Sequence, residues 1–228
     1  MKLSNKILLG FFGTVILYTL IAAGEIRFKG VLRSENKEGF LVESIAIDSH
    51  KHLIIRNSNI DISVNQSETT RMEIRSYNEE KHLKISYQTS GDTLIINSVN
   101  PTEESETTII NVYLDNRLQS ITSKAIRTYV RNFKSDSLTV IASENYLSFD
   151  DDNEIQHLQL TGQEGASVYL LSDQVNSLDL LIDDATVTVI KELAEINAEL
   201  INGAVLTSKA PDNLQFKKER NCKVMMYQ

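Results

Sequence analysis

The fold is most clearly visible in residues 158–189, which read LQLTGQEGASVYLLSDQVNSLDLLIDDATVTV. A leucine with a second leucine two positions later occurs at Leu158 and again at Leu178. A polar turn and a second short alternating run follow each pair, Ala166-x-Val168-x-Leu170 and Ala185-x-Val187-x-Val189. Alternation by two is the periodicity of a β-strand. The stretch therefore predicts two copies of one unit, each made of a strand, a turn and a second strand.

The same unit recurs from Arg117 to Gln228. The residues that lead the first strand of successive units are Leu118, Leu138, Leu158, Leu178, Ile196 and Leu214. Self-similarity at a fixed period of about 20 residues is typical of stacked units, because no single unit can bury its apolar side alone. We therefore predict an all-β domain, a single-stranded β-helix or β-solenoid with coils of about 20 residues. The leading side chains should form a ladder along its axis.

Details of the repeat lead to further expectations. Leu147-x-Phe149 is one residue out of step with the other second strands, and a β-bulge would restore its inward register. The composition of residues 191–200 is compatible with a helix, but the repeat predicts a strand there.

Cys222 is the only cysteine and falls opposite Ala204 on the inward row. A lone cysteine makes neither a disulfide nor a CxxC metal site, so we expect a small buried side chain.

The β domain is expected to begin near residue 40. Residues 40–116 also carry dense strand signals, such as Ile60-x-Ile62-x-Val64 and Ile110-x-Val112-x-Leu114, but with irregular spacing. They predict either irregular first coils or a sheet that caps the stack. Residues 101–107 read as a solvated loop. One domain over 40–228 follows, with an irregular first part at 40–116 and regular coils at 117–228.

Residues 1–24 differ in character from the rest. Lys2 and Lys6 precede an uncharged apolar stretch over residues 7–24. This length is at the lower edge of a membrane-spanning helix, which needs about 20 residues. We predict an N-terminal hydrophobic helix that anchors the chain in a membrane, with an export signal cleaved near Ala23 as the alternative. Residues 25–39 would then be a charged stem, and the β domain would lie outside the cytoplasm.

The charge balance excludes some partners. The chain has a net charge of −8, and residues 1–24 contain two lysines and no acidic residue. The remainder therefore carries −10. Such an acidic domain argues against nucleic acid and against anionic lipid surfaces as partners.

Chemistry-bearing motifs are scarce in the sequence, and no cofactor is indicated. Asp150, Asp151 and Asp152 form the densest acidic cluster, a weak candidate for a cation corner, although a solvated turn explains it equally well. His50 and His52 would share one face of a strand and are interpreted as a surface pair. Gly-x-Ser-x-Gly and phosphate-loop motifs are absent from the sequence. No catalytic residue is assigned.

The strand pattern resembles a known family. The segments concerned are Ile60–Val64, Leu94–Ile96, Val112–Leu114, Leu118–Ile121 and the coils at Ala185 and Gly203-Ala204. Over residues 40–228 they resemble the auto-transporter adhesin head GIN domain of bacterial envelope proteins. The resemblance implies a solenoid-like extracytoplasmic domain with an adhesion role and without catalytic residues. The helical anchor departs from the secreted or lipidated pattern of many relatives, which leaves inner and outer membrane both open.

Three functional hypotheses follow. The first is a non-catalytic envelope protein that displays a β-solenoid for adhesion, for a polar ligand such as a glycan, or for structural contact. The second is a glycan-active enzyme that uses corner carboxylates such as Glu164 and Asp183, which would occupy equivalent positions in neighbouring coils. The third is a self-assembling scaffold, because the apolar run at residues 224–227 predicts an end-to-end homodimer that Val224→Lys would weaken.

Overall fold

The computed structural model describes residues 41–58, 60–76, 85–97, 109–150, 152–171 and 174–227. The predicted anchor, stem and polar loop at 101–107 lie outside the described residues. Residues Phe40–Gln228 form one compact unit. In the part of the chain that is described, none of the secondary structure is a helix of the length and apolarity needed to cross a membrane.

The described residues form β-strands joined by turns and short loops. In chain order the strands are β1 (Leu41–Ala46), β2 (His52–Ser58), β3 (Asp61–Gln66), β4 (Arg71–Ser76), β5 (Tyr87–Ser90), β6 (Thr93–Ile96), β7 (Ile109–Leu114), β8 (Ser120–Ala125), β9 (Arg127–Arg131), β10 (Lys134–Ser143), β11 (Tyr146–Phe149), β12 (Glu154–Gln163), β13 (Ser167–Leu170), β14 (Gln174–Asp183), β15 (Thr186–Val189), β16 (Glu195–Ile201), β17 (Val205–Lys209), β18 (Asn213–Lys218) and β19 (Lys223–Tyr227).

These strands form one ten-stranded and one nine-stranded sheet. From β8 onward, each even-numbered strand joins the nine-stranded sheet and the next odd-numbered strand joins the ten-stranded sheet. Each strand pairs in parallel with its counterpart one coil earlier. The predicted all-β solenoid is confirmed, and residues 195–201 form a strand as the repeat required.

The leading residues of the coils lie in register. Leu138 faces Leu158, Leu158 faces Leu178, and Leu178 faces Ile196, which in turn faces Leu214. Leu118 does not belong to this row. Val140 faces Ile121 in β8 and Leu160 in β12. The number of residues between paired positions is therefore one smaller from β8 to β10 than from β10 to β12. Leu118 therefore lies in the turn before β8, where it is buried without being a rung of the ladder.

The expected β-bulge at Leu147 is wrong. Leu147 faces Thr128 in β9 and Val168 in β13, and the register is unbroken on both sides. The irregular spacing is absorbed outside the strands, since two residues separate β10 from β11 and three separate β12 from β13. Corners need not repeat in length, because only the strands stack on one another.

The first part of the domain stacks out of chain order. Strand β2 lies between β6 and β8, and β3 lies between β7 and β9, all in parallel. The pair β2–β3 is therefore inserted between β6–β7 and β8–β9. Strands β1, β4 and β5 then add to this end of the sheets in antiparallel orientation. Both expectations for residues 40–116, irregular coils and a capping sheet, hold for different strands.

Aliphatic side chains fill the space between the two sheets. The core is a continuous cluster that extends from Leu53 and Ile62 at one end to Leu206 and Cys222 at the other. Cys222 is buried, as predicted. The burial of these inward rows holds the two sheets together, and it leaves the outward rows of the same strands free to carry function.

Candidate ligand-binding groove

The outer face of the nine-stranded sheet has ordered rows of side chains. Strands β12, β14, β16 and β18 pair in parallel and in register, so equivalent outward residues lie side by side. Neighbouring strands are separated by about 4.8 Å. Each outward row therefore presents one side chain about every 4.8 Å along the solenoid axis.

Two such rows enclose a groove of about 670 Å³. One wall, here called the amide row, consists of Gln159, Asp179, Asn197 and Gln215. The other wall, here called the mixed row, consists of Thr161, Leu181, Glu199 and Lys217. The floor between them is formed by Leu160, Leu180, Ala198 and Phe216. The groove runs across the four strands, along the axis of the stack.

The amide row is partly held in place by its own hydrogen bonds. The Asn197 side-chain amide donates to Asp179 Oδ1 at 3.1 Å and to Glu195 Oε1 at 3.3 Å. The Thr139 hydroxyl donates to Gln159 Oε1 at 3.2 Å. Among the described residues, the Gln215 amide has no hydrogen-bond partner. Because amide side chains both donate and accept hydrogen bonds, this row can bind ligand hydroxyl groups that act as donors or as acceptors.

The mixed row adds apolar surface to the groove. Leu181 is 40% exposed on this face. A hydrogen-bonding wall that faces a wall with an exposed leucine suits a ligand with polar edges and carbon-rich faces. Pyranose rings have this character.

A serine, a histidine and an aspartate lie together beside the groove. His157 Nδ1 is 2.8 Å from Ser177 Oγ, and His157 Nε2 is 3.3 Å from Asp179 Oδ2. The group resembles a hydrolytic triad, but the surrounding backbone does not support one. Strand β14 pairs with β12 and, from Ser177 to Asp183, also with β16, so this stretch lies inside the sheet. An acyl-transfer intermediate would find the backbone N–H groups of this stretch engaged by the neighbouring strands.

The corner carboxylates Glu164, Asp183 and Asp184 line one cavity with Asn202 and Asn221, and two of them accept hydrogen bonds between coils. Gln163 faces Asp183, so Glu164 is equivalent to Asp184 and not to Asp183, contrary to the sequence-based assignment. The Glu164 carboxylate accepts a hydrogen bond from Ser143, and Asp183 Oδ1 accepts one from the Asn202 amide at 2.7 Å. Both carboxylates thus stabilise the corners between coils.

The acidic corner after β11 also has a structural role. Asp150 Oδ2 lies 2.5 Å from Arg131 Nε, and its other oxygen accepts a hydrogen bond from Ser148 at 2.8 Å. Asp152 has a left-handed backbone with φ 73°, and Asp151 lies outside the described residues. A cation bound here would have to displace Arg131. Over the described ranges, no three His, Cys, Asp or Glu side chains are arranged to hold a metal ion.

Asn153 is the residue at this corner whose importance the sequence did not reveal. It is buried, its Oδ1 accepts a hydrogen bond from the Phe133 backbone N–H at 3.0 Å, and its amide donates to the Val130 carbonyl at 3.0 Å. It therefore ties one coil to the next.

The two histidines near β2 are not a surface pair. His50 is 3% exposed, and His52 Nδ1 lies 2.8 Å from the Ser120 hydroxyl on the neighbouring strand. His50 precedes β2 and turns inward, so the alternation assumed for a strand does not apply to it.

The amide row was missed from the sequence although a signal for it exists. Its members follow the leucine ladder by one position and share its spacing from Leu158 to Leu214. Polar residues at outward positions are common on any soluble solenoid, so the spacing alone does not mark a site. The groove becomes visible only when the two rows that enclose it are seen together.

Comparison with known proteins identifies relatives by structure alone. No protein-family model and no curated protein matches this sequence. The chain is similar in structure to a proposed adhesin from Bacteroides fragilis NCTC 9343, with a TM-score of 0.60 and 15% identity over 82% of this chain and 97% of that one. It is also similar to a proposed adhesin from Parabacteroides merdae ATCC 43184, with a TM-score of 0.50 and 15% identity over 83% and 96% of the two chains. At this identity the likeness shows a shared fold.

Proposed function

We propose that this protein is a non-catalytic bacterial cell-envelope protein of the head GIN adhesin type, which uses its β-solenoid to bind a glycan. In this proposal residues 7–24 anchor the chain in a membrane and the β domain lies outside the cytoplasm. The observation that carries the proposal is the groove on the nine-stranded sheet, with its amide row facing exposed Leu181.

The geometry of the groove favours a linear polar polymer. Hydrogen-bonding groups recur along the solenoid axis at the strand spacing of about 4.8 Å. A chain of sugars that lies along the groove can therefore contact several members of the amide row in succession. Each contact is weak in water, but several contacts on one rigid surface add to a useful affinity.

The sign of the ligand's charge follows from the carboxylates around the groove. Asp179 and Glu199 line the groove, and Lys217 is the cation among its lining residues. Glu195 extends the acidic side next to Asn197. A neutral or amino-substituted glycan is therefore favoured over one rich in uronic or sialic acids.

Two considerations support a binding role over an enzymatic one. The backbone of β14 from Ser177 onward pairs with strands on both sides of the Ser177–His157–Asp179 group, and the Glu164 and Asp183 carboxylates are engaged in hydrogen bonds between coils. The two similar structures from Bacteroides fragilis and Parabacteroides merdae are proposed adhesins, which agrees with a binding role at the level of the fold.

The test is a glycan array probed with the full chain, followed by titration of the best ligand. Gln215→Ala is the most informative variant, because the Gln215 amide makes no hydrogen bond to the described residues and its loss should leave the fold intact. We expect binding to weaken about three- to tenfold, the value of one hydrogen bond. The matched control is Thr188→Ala, an outward polar position on the ten-stranded sheet.

Two outcomes would contradict the proposal. One is the absence of any glycan that binds the full chain. The other is an equal effect of Gln215→Ala and Thr188→Ala on the affinity for the best ligand, since Thr188 lies on the opposite sheet.

A further inference from the structure

The last strand pair, β18–β19, is an open end of the stack within the described residues. Strand β18 pairs with β16 and β19 pairs with β17, and neither has a second neighbour there. Each strand therefore presents a row of backbone N–H and C=O groups without strand partners, which is a template for an added strand.

The inward side chains of this pair form an apolar surface, here called the end face. It consists of Leu214, Phe216, Val224 and Met226, which continue the inward rows of the preceding coil. Phe216 is 46% exposed and Met226 is 39% exposed, whereas the Ala198 and Ser208 that they face are buried. The end face is thus a section through the core that no further coil covers in the described part of the chain.

Four cations surround the end face. They are Lys217, Lys218, Arg220 and Lys223, and all are exposed. With Glu219, residues 213–227 have a net charge of +3, on a chain whose total is −8. Lys218 occupies an inward position opposite buried Leu200, and its ammonium extends to the Cys222 carbonyl at 3.3 Å.

These four cations differ from most of the basic residues elsewhere in the described part of the domain. Arg131, Lys124, Lys134 and Lys209 each lie within 3.0 Å of a carboxylate. In the described residues, none of the four cations at the end face has a salt-bridge partner. The net charge of the chain does not show that these unpaired cations lie together. The exclusion of anionic partners, which was argued from the net charge, therefore does not hold for this surface.

Charge decides between the occupants of the end face. Two copies joined through their end faces would bring four cations against four, and charged side chains on edge strands are a known device against such pairing. An anionic lipid surface would satisfy the charges, but its headgroups offer no ordered row of donors and acceptors that matches the strand edges. An acidic polypeptide strand satisfies both requirements.

We propose that the end face binds an extended acidic segment of a partner polypeptide, which adds a strand to β18 or β19. Backbone hydrogen bonds to the open edge supply affinity, as in other cases of strand addition. Alternate apolar side chains of the segment cover Phe216 and Met226, and its carboxylates pair with Arg220, Lys223 and their neighbours. Lys217 belongs to both the end face and the groove, but Arg220 and Lys223 do not line the groove, so changes at these two positions test the end face by itself.

The experiment measures fluorescence anisotropy of a labelled synthetic peptide that alternates valine and glutamate, titrated with the full chain. We expect saturable binding that weakens as salt is added, and no binding of the matching valine–lysine peptide. The double variant Arg220→Glu/Lys223→Glu should weaken binding at least tenfold. Lys124→Glu/Lys134→Glu is the control, because it changes the net charge equally at a distance from the end face.

Several outcomes would overturn the proposal. Binding of both peptides, or equal loss in the two double variants, would show unspecific attraction. Concentration-dependent growth in mass without peptide, measured by light scattering, would make a second copy the occupant. Binding to phosphatidylglycerol vesicles in place of the peptide would make it a lipid surface. Retained glycan binding in Arg220→Glu/Lys223→Glu separates a failure here from a failure of the groove.

Discussion

The regular coils from β8 to β19 and the first strands from β1 to β7 use one core in two different ways. In the regular part, each coil stacks on the coil that precedes it in the chain. In the first part, β2–β3 is inserted between β6–β7 and β8–β9, and three antiparallel strands complete the end. The hydrophobic rows nevertheless run through both parts without a break.

The difference shows what a repeat contributes. Where the sequence repeats, stacking needs only contacts between neighbours in the chain. Where it does not, strands that are far apart in sequence must find each other, as β2 and β8 do although five other strands separate them in the chain. Once formed, both kinds of stacking bury the same type of side chain. The two parts should therefore differ in how they assemble during folding, while each rung contributes a similar amount to the stability of the domain.

The largest effect should come from a charge placed in the regular ladder. Leu158 is fully buried between Leu138 and Leu178, so Leu158→Asp strands a carboxylate in an apolar stack and should unfold the domain. Gln159→Asp, one residue away on the outer face, should cost less than about 1 kcal/mol, mainly from repulsion by Asp179 opposite. Circular-dichroism melts compare the two variants, and similar melting temperatures would contradict the inward register.

A pair of truncations on one rung tests whether the two parts are equivalent. Leu53 in β2 and Leu160 in β12 lie on the same inward row, through Ile121 and Val140. Leu53→Ala and Leu160→Ala should each lower the free energy of unfolding by about 2–5 kcal/mol in a single transition. Urea denaturation measures both. A separate early transition for Leu53→Ala alone would show that the inserted pair is a distinct folding unit.

A smaller effect should appear at the junction between the two parts. The Asp115 carboxylate accepts hydrogen bonds from the Ser49 hydroxyl and from Arg117, whose Nε lies 3.0 Å away. Burial alone would raise the pKa of Asp115, but these hydrogen bonds outweigh it and lower that pKa. The stabilisation is therefore present above the pKa of an unfolded aspartate and is lost as the pH falls through the lower folded value.

Removing that charge should flatten the acid limb of the stability curve. Asp115→Asn is expected to cost about 1–2 kcal/mol at pH 7 and little once the wild-type carboxyl is protonated. Stability measured against pH for Asp115→Asn and for Asp136→Asn, at an exposed position of β10, checks this. An undiminished pH dependence in Asp115→Asn would contradict the assignment.

The smallest effect should be found at the regular corners. Asp184 has a left-handed backbone with φ 48° and follows the last residue of β14. Asp184→Val should lower the free energy of unfolding by about 1 kcal/mol, because a β-branched residue is strained there. Asp184→Gly should have less than half this effect, because glycine adopts this conformation without strain. Equal effects in urea titrations would show that this corner conformation is not present in solution.

The amino-acid pattern alone was sufficient to predict the solenoid and the direction in which most side chains point. Alternation by two, repeated at a nearly constant spacing, was enough to place the ladder from Leu138 to Leu214 and to prefer a strand over a helix at residues 195–201. The burial of Cys222 followed from the same row. These features depend only on alternation within a strand and on stacking between coils that follow each other in the chain, so the sequence pattern is enough to predict them.

The order of the first coils, the groove and the end face emerged only from the three-dimensional arrangement. The insertion of β2–β3 depends on contacts between distant segments. The spacing between coils also varies, so Leu118 lies outside the ladder and Glu164 is equivalent to Asp184. The groove is formed by two rows of side chains from four strands. The end face is distinguished by cations that lack salt-bridge partners among the described residues. Such properties depend on which surfaces meet, and a one-dimensional repeat specifies only which residues point inward.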